Sequence, residues 1–581
     1  MKKYFIKMIV FLLVFALTSG GFSVITFASD FVAKEDSVIT PQLSNIMSDS
    51  LGEKIKVSIW LQDIDSSIVI ASNFVPKYET RLEELKKVKA NLTATNSQNL
   101  STKLKRKAFQ LCYEPYTLNF SSNFLEDGEV IYCSMFLPVV IANLSSDRIL
   151  QVADNSFVTN IDFKCEENLE EELQYDLVNE GLAVTNAMDA TIEGNIEYMN
   201  LTALRNSMPL DSYVNVGIIE YSNPEYRESF QGKAIYEHYP NAAEGSHASA
   251  IMEIIVSIVP YATFYCANTC GSNTSSLASE IDWLLLNDVH VINMSVGTVI
   301  YDTYHLQCSY IDRIICLYGV TFVKSAGNDS NENDTADSSL GITVPGMAYN
   351  AITVGAFDTV TGQMFSWSAF CNLSSYAQKP DISAPGRVDF PDDNPPAVGT
   401  SLAAPMITGI AALIIAHRVE CIDDYNTVKA ILVSSTLDDY SYTVNDEMYR
   451  YAGAGVVDGG KVRDILLGTG GDWRIGIAAD EYGRRIHEVN FTAGTTVRLS
   501  LAYNVSASDL LTYDLANLGI IIYNEDGVGI ESIVTPNKNV EIIEFDVETT
   551  GVYEIWIVTY SAPTSTDEDA RPGYSFAWHF S

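Results

Sequence analysis

The sequence predicts a doubly wound, mostly parallel α/β domain, preceded by a small α+β block and followed by a β-sandwich. Three observations carry this. Between about residues 180 and 468, short apolar runs recur between helical segments: VNVGIIE (214–220), ATFYCA (262–267), VHVINMS (289–295), GVTFVKSAG (319–327) and AITVGAF (351–357). They do not alternate, and continuous apolar runs suit strands buried on both faces of a parallel sheet. Residues 30–170 instead mix strand-like and helical stretches. Residues 470–581 hold only strand-like runs separated by Gly, Asn and Asp turns, as in a sandwich. A chain of 581 residues is also too long for one core.

Taken in order, residues 1–28 come first. Lys2, Lys3 and Lys7 precede the apolar run Met8–Leu17, and small residues lead up to Ala28. The run is too short to span a bilayer, and the pattern is that of a cleaved secretory signal. No later segment has eighteen uninterrupted apolar residues. The expected mature protein is therefore exported, secreted or held at a cell surface, with no integral membrane segment after signal removal.

In the block 30–170, KIKVSIWLQ (54–62) alternates as a strand does. YETRLEELKKVKANL (78–92) reads as a charged helix, VIYCSMFLPVVIANL (130–144) as two strands, SSDRILQVADN (145–155) as a capped helix, and FVTNIDF (157–163) as a closing strand. The acidic stretch CEENLEEELQYD (165–176) reads as an exposed linker.

Composition limits the partners. With 35 Lys and Arg against 74 Asp and Glu, the net charge is −39. Such a surface repels nucleic acid and anionic membranes. Nine cysteines leave at least one thiol unpaired, and their spacing forms no paired zinc cluster. The sequence assigns no cofactor and leaves a structural calcium ion open.

GTSLAAPMITGIAALII (399–415) is the most informative segment. Gly and Thr precede Ser401, and a long apolar helix follows it. Pro405 is expected in the first helical turn, where a missing N–H does no harm. Ser401 would then sit at a helix N-terminus, where negative charge is favoured. This suits a nucleophile whose attack creates an oxyanion. The competing reading is a helix-capping serine.

The segment closely resembles the nucleophile motif of the subtilisin-like serine proteases. Other pieces follow in that family's order: VNVGIIE, EGSHASAIM (244–252), VINMSVG (291–297), FVKSAGN (322–328) and YAGAGVVDGGKV (451–462). The resemblance covers about residues 180–468 and implies Ser401 as nucleophile and Asn328 as oxyanion donor. It makes Ser295, Val296 and Gly297 part of the substrate-binding strand. The first block is similar to the family's propeptide, and the last to a β-sandwich appended to bacterial members. A peptide or protein substrate and the chain's own propeptide are the implied partners.

Two positions depart from the pattern. Glu220 stands where the family has Asp. Aligned on GSHASA, Glu244 stands where the family has its catalytic His, and His247 matches a second, non-catalytic His. Three residues along a helix advance about 4.5 Å, so His247 is expected to pack rather than act as base. The expectation is that Glu244 faces Ser401 and shares a proton with Glu220, because two close carboxyls do not both ionise easily. This resembles the sedolisins, which use Glu in place of His. The sequence thus suggests a serine endopeptidase with a carboxyl base. The alternative is an inactive member of the fold that binds or regulates.

Overall fold

The computed structural model describes residues 38–39, 43–44, 46–47, 54–62, 98–163, 169–171, 190–207, 213–268, 277–301, 304–328, 341–371, 378–390, 396–443, 446, 448–480, 482–505, 516–535, 538–561 and 572–580. The signal segment expected over 1–28 and the helix expected over 78–92 lie outside them. The chain forms two compact units, residues 1–167 with 273–286, and residues 168–272 with 287–581.

In the first unit an antiparallel four-stranded sheet runs in the order Val130–Cys133, Val139–Ser145, Lys54–Leu61, Val158–Phe163. Alternation along KIKVSIWL turns Ile55, Val57 and Ile59 inward. Helix Gln98–Phe124 covers them with Tyr113, Tyr116 and Phe120, and helix Ser146–Ala153 with Ile149 and Val152. The first of these helices has no counterpart in the sequence pattern. It contains Pro115 and is rich in Ser and Asn, which obscure a helical signal.

Helix Leu277–Leu286 completes this unit. Its Asp282 is fully buried, and Oδ2 accepts from Tyr132 Oη (2.7 Å), Ser134 Oγ (2.9 Å) and the Met135 N–H (2.7 Å). Burial pushes this carboxyl up to about 7, against the pull of the three donors. A group whose pKa rises on folding stabilises the fold below its unfolded value of about 3.8, and that stability is lost as pH rises through about 7. The difference is on the order of 4 kcal/mol at full ionisation. Hydrogen exchange in strand Val139–Ser145 should therefore quicken from pH 5 to pH 8 beyond the intrinsic change, and Asp282→Asn should remove the excess. An equal excess in the variant would refute the assignment.

The second unit is built on a ten-stranded sheet. Its central strands are parallel, in the order Gly455–Val457, Ile382–Pro385, Ile352–Asp358, Thr321–Ser325, Val291–Met294, Asn215–Glu220, Thr263–Asn268, Ala234–Glu237. This is the expected α/β class. Strand β1 (Asn215–Glu220) has Thr263–Asn268 on one side and β2 (Val291–Met294) on the other. The order of connection reverses there, and a crevice opens at the carboxyl ends of such strands. Helix α1 (Ser246–Ile258) follows β1, and helix α2 (Thr400–His417) packs against α1. Among the described helices α2 alone is long and apolar enough to cross a membrane, but 94% of it is buried inside the protein. It is the core helix of the sheet.

Residues beyond 470 form two four-stranded sheets around Phe491, Ile520 and Phe576. They do not stand apart as a separate block. Ala502, Val540, Ile542 and Ala577 enter the same core as α2 and helix α3 (Tyr425–Ser434). Arg498, buried, donates to the carbonyls of Tyr442 (2.9 Å) and Ala454 (3.1 Å), and Ser500 Oγ to that of Ala430 (2.7 Å).

Candidate active site

The crevice gathers residues from four strand and helix ends. Glu220 closes β1, Ser295 follows β2, Asn328 lies three residues past strand Thr321–Ser325, and Ser401 is the second residue of α2. A parallel sheet delivers all its carboxyl ends to one edge, which is why Ser295 and Asn328, so distant in sequence, meet the start of α2 here.

Asn328 is held by the residue before Ser401. Its Oδ1 accepts from the Thr400 N–H and from Thr400 Oγ1, both at 2.9 Å. Thr400 Oγ1 in turn accepts the Gly327 N–H at 3.1 Å. With Oδ1 committed to Thr400, the amide turns its Nδ2 donors away from that residue. Thr400 is a site residue that the sequence reading missed. The signal was present, since a hydroxyl next to the nucleophile can orient a neighbouring amide.

The acid pair is where sequence and structure part. Glu220 Oε2 does not bond to the carboxyl of Glu244. It accepts from Nδ1 of His247 at 2.8 Å, and both side chains are buried. His247 is the second residue of α1, after Ser246. Glu is one methylene longer than Asp, so the acid at this strand end can reach an imidazole inside the first turn of the helix. Glu244 lies before the helix and is exposed, in a short strand paired with Asn223–Pro224. A Cβ on Gly245 would come within 2.3 Å of Ser222 Oγ, so a larger residue there would have to turn that hydroxyl aside. The carboxyl repulsion expected for Glu220 falls elsewhere: Glu237 is raised by burial and then by the charge of Glu244.

Pro405 also departs from expectation. Helix α2 starts at Thr400, so Pro405 is its sixth residue and lies beyond the first turn. Its absent N–H would have served the Ser401 carbonyl. That carbonyl instead accepts from Ser295 Oγ at 2.9 Å.

Val296 and Gly297 belong to strand Val296–Tyr301. Three residues of the acidic stretch read as a linker, Leu169–Glu171, form a strand antiparallel to it. The pairs are Val296 with Glu171, Gly297 with Glu170 and Thr298 with Leu169. The edge expected to bind substrate therefore carries a segment of the same chain. Among the described residues no group of three or more His, Cys, Asp or Glu could hold a metal ion.

Residues 242–455 match the family model described as the subtilase family. Subtilisin DY of Bacillus licheniformis is 27% identical over 203 residues, which span 34% of this chain and 66% of that protein. The thermostable alkaline protease of Halalkalibacterium halodurans is 24% identical over 245 residues, 39% of this chain and 63% of that one. The chain thus spans just under two thirds of these relatives' length. Among solved structures, the epidermin leader peptide processing serine protease of Staphylococcus aureus is 15% identical, with a TM-score of 0.45, over 71% of this chain and 99% of that one. Fervidolysin from Fervidobacterium pennivorans is 15% identical with a TM-score of 0.44, over 87% of this chain and 71% of that one.

Proposed function

We propose that this subtilisin-like chain is an exported serine endopeptidase that hydrolyses peptide bonds through Ser401, with His247 as base. The observation that carries the proposal is the 2.8 Å hydrogen bond between Glu220 and His247 Nδ1. Such a bond fixes the tautomer. Nδ1 holds its proton toward the carboxylate, so Nε2 carries the lone pair that can receive one.

Ser401 Oγ attacks the substrate carbonyl carbon, and its proton passes to Nε2 of His247. The carbonyl π electrons move onto oxygen, where the Asn328 amide and the Ser401 N–H can stabilise them. Collapse expels the amine, which takes the proton from His247. Water then releases the acid from Ser401 by the same steps. Val296 and Gly297 supply a strand edge for the substrate backbone, and specificity would follow from side-chain pockets beside it.

Residues 30 to about 170 act in this reading as a propeptide. The strand Leu169–Glu171, seated on Val296–Thr298, supports it, because a substrate would pair there in the same way. The purified protein should be cut within a few residues after Glu171, and Ser401→Ala should stay intact. Mass spectrometry of both reads the outcome. Labelling of Ser401 by a fluorophosphonate across pH 3–8 tests the activity itself.

A second reading, a non-catalytic binding or regulatory protein, is favoured by Glu244 at the place where the family carries its base. It stands if the wild type is neither cut nor labelled.

A further inference from the structure

We propose that Ser295 is a positioning residue for the nucleophile: its hydroxyl replaces the hydrogen bond that Pro405 denies to the Ser401 carbonyl. The inference rests on Ser401 being the nucleophile.

In a regular helix the carbonyl of residue 401 would accept from the N–H of residue 405. Proline has no N–H, and its ring crowds the carbonyl four residues earlier. The Ser401 carbonyl therefore needs a donor other than residue 405. It is fully buried with the rest of the residue, so water is no substitute, and an unmet buried acceptor is costly.

Ser295 Oγ meets it at 2.9 Å. The direction of this bond is fixed, because a carbonyl oxygen can only accept. The Ser295 hydroxyl therefore points its single proton at Ser401, and its oxygen accepts from Asn293 Nδ2 at 3.0 Å. Thr408 Oγ1 lies 2.9 Å from Asn293 Oδ1, and it shares its single proton between that oxygen and the Ala404 carbonyl at 3.1 Å. Thr408 lies on α2, two turns after Ser401. The chain of bonds therefore leaves α2 at Thr408, crosses β2 and its end, and returns to α2 at Ser401. Asn293, Ser295 and Thr408 are all fully buried. This loop ties the first turn of α2 to the end of β2, and the placement of that turn decides where Ser401 Oγ points.

The resemblance to the protease family assigns Ser295 to substrate binding instead. The two roles give different kinetics. A positioning residue changes the maximal rate of Ser401 labelling, whereas a substrate contact changes the concentration at half-saturation.

The test measures fluorophosphonate labelling of the full chain as a function of probe concentration. Ser295→Ala should lower the maximal rate about tenfold with little change in half-saturation. Pro405→Ala restores an N–H at residue 405, so the double variant should label within about threefold of Pro405→Ala alone. An unchanged rate in Ser295→Ala, a change confined to half-saturation, or a loss that Pro405→Ala fails to restore would each overturn the proposal. If Ser295→Ala alone does not fold, the double variant must fold, because the restored N–H then serves the carbonyl in place of the missing hydroxyl. Failure of both overturns the proposal too. If the wild type does not label, the proposed activity fails on its own terms. The same four proteins then report through melting temperature, where the Ser295→Ala loss should be present with Pro405 in place and absent in the Pro405→Ala background.

Discussion

Replacing His247 by alanine should lower the rate of Ser401 labelling and of peptide hydrolysis by about 10⁴–10⁶-fold, the scale on which a triad base matters. Glu244→Gln should leave both rates within about threefold. The contrast follows from the hydrogen bond of Glu220, which goes to His247 and not to Glu244. Removing the imidazole takes away the proposed proton acceptor and deprives the buried Glu220 carboxylate of that donor. Glu220→Gln should act in the same direction with a smaller loss, because an amide can hold the ring but favours the wrong tautomer. The pH profile separates the two bases. An imidazole loses activity as pH falls through its ordinary value of about 6.5, whereas a carboxylate keeps it into mildly acid conditions. Full labelling by His247→Ala, or its loss in Glu244→Gln, would return the base to Glu244.

Ending the chain at Thr469 should prevent the second unit from folding. The expectation is unusual for an appended sandwich, which could be a tethered module. Here Ala502, Val540, Ile542 and Ala577 share one core with Val428, Ile431 and Leu432 of α3. Truncation would bare that face of α3 to water. Each fully buried aliphatic side chain so exposed costs about 1.5–3 kcal/mol, against a net stability of about 5–15 kcal/mol for a whole domain. The lost hydrogen bonds of Arg498 and Ser500 add less, because the freed carbonyls can bind water. Circular dichroism and limited proteolysis would show the result. A truncated chain that melts cooperatively near the full-length temperature would show that the sandwich is dispensable to the fold. Ile542→Ala in the full chain, expected to cost about 2–5 kcal/mol, gives the same test without a cut.

Much of this protein is legible in one dimension. Apolar runs without alternation point to the parallel sheet, because strands such as Asn215–Glu220 and Thr321–Ser325 are buried on both faces and have no polar side to show. Alternation in KIKVSIWL marks a strand with one covered face. The places of Ser401 and Asn328 are legible because a helix start marks one and a strand end the other. Residues Gln98–Phe124 are not legible as a helix, because tertiary packing of Tyr113 and Phe120 overrides a composition that disfavours it.

The sequence by itself determined the class of fold, since that depends on patterns only a few residues long. It could not determine which partner Glu220 takes. His247 and Glu244 are both within reach along the chain, and the choice turns on where α1 begins and how far one extra methylene extends. The same holds for Ser295, Asn293 and Thr408, whose hydroxyl and amide groups read as ordinary core polar residues until the sheet brings them to the Ser401 carbonyl. Hydrogen bonds between residues 27 and 106 positions apart form only after the chain has folded, because their energy depends on ångström distances that no local pattern encodes. Tertiary structure alone decided them.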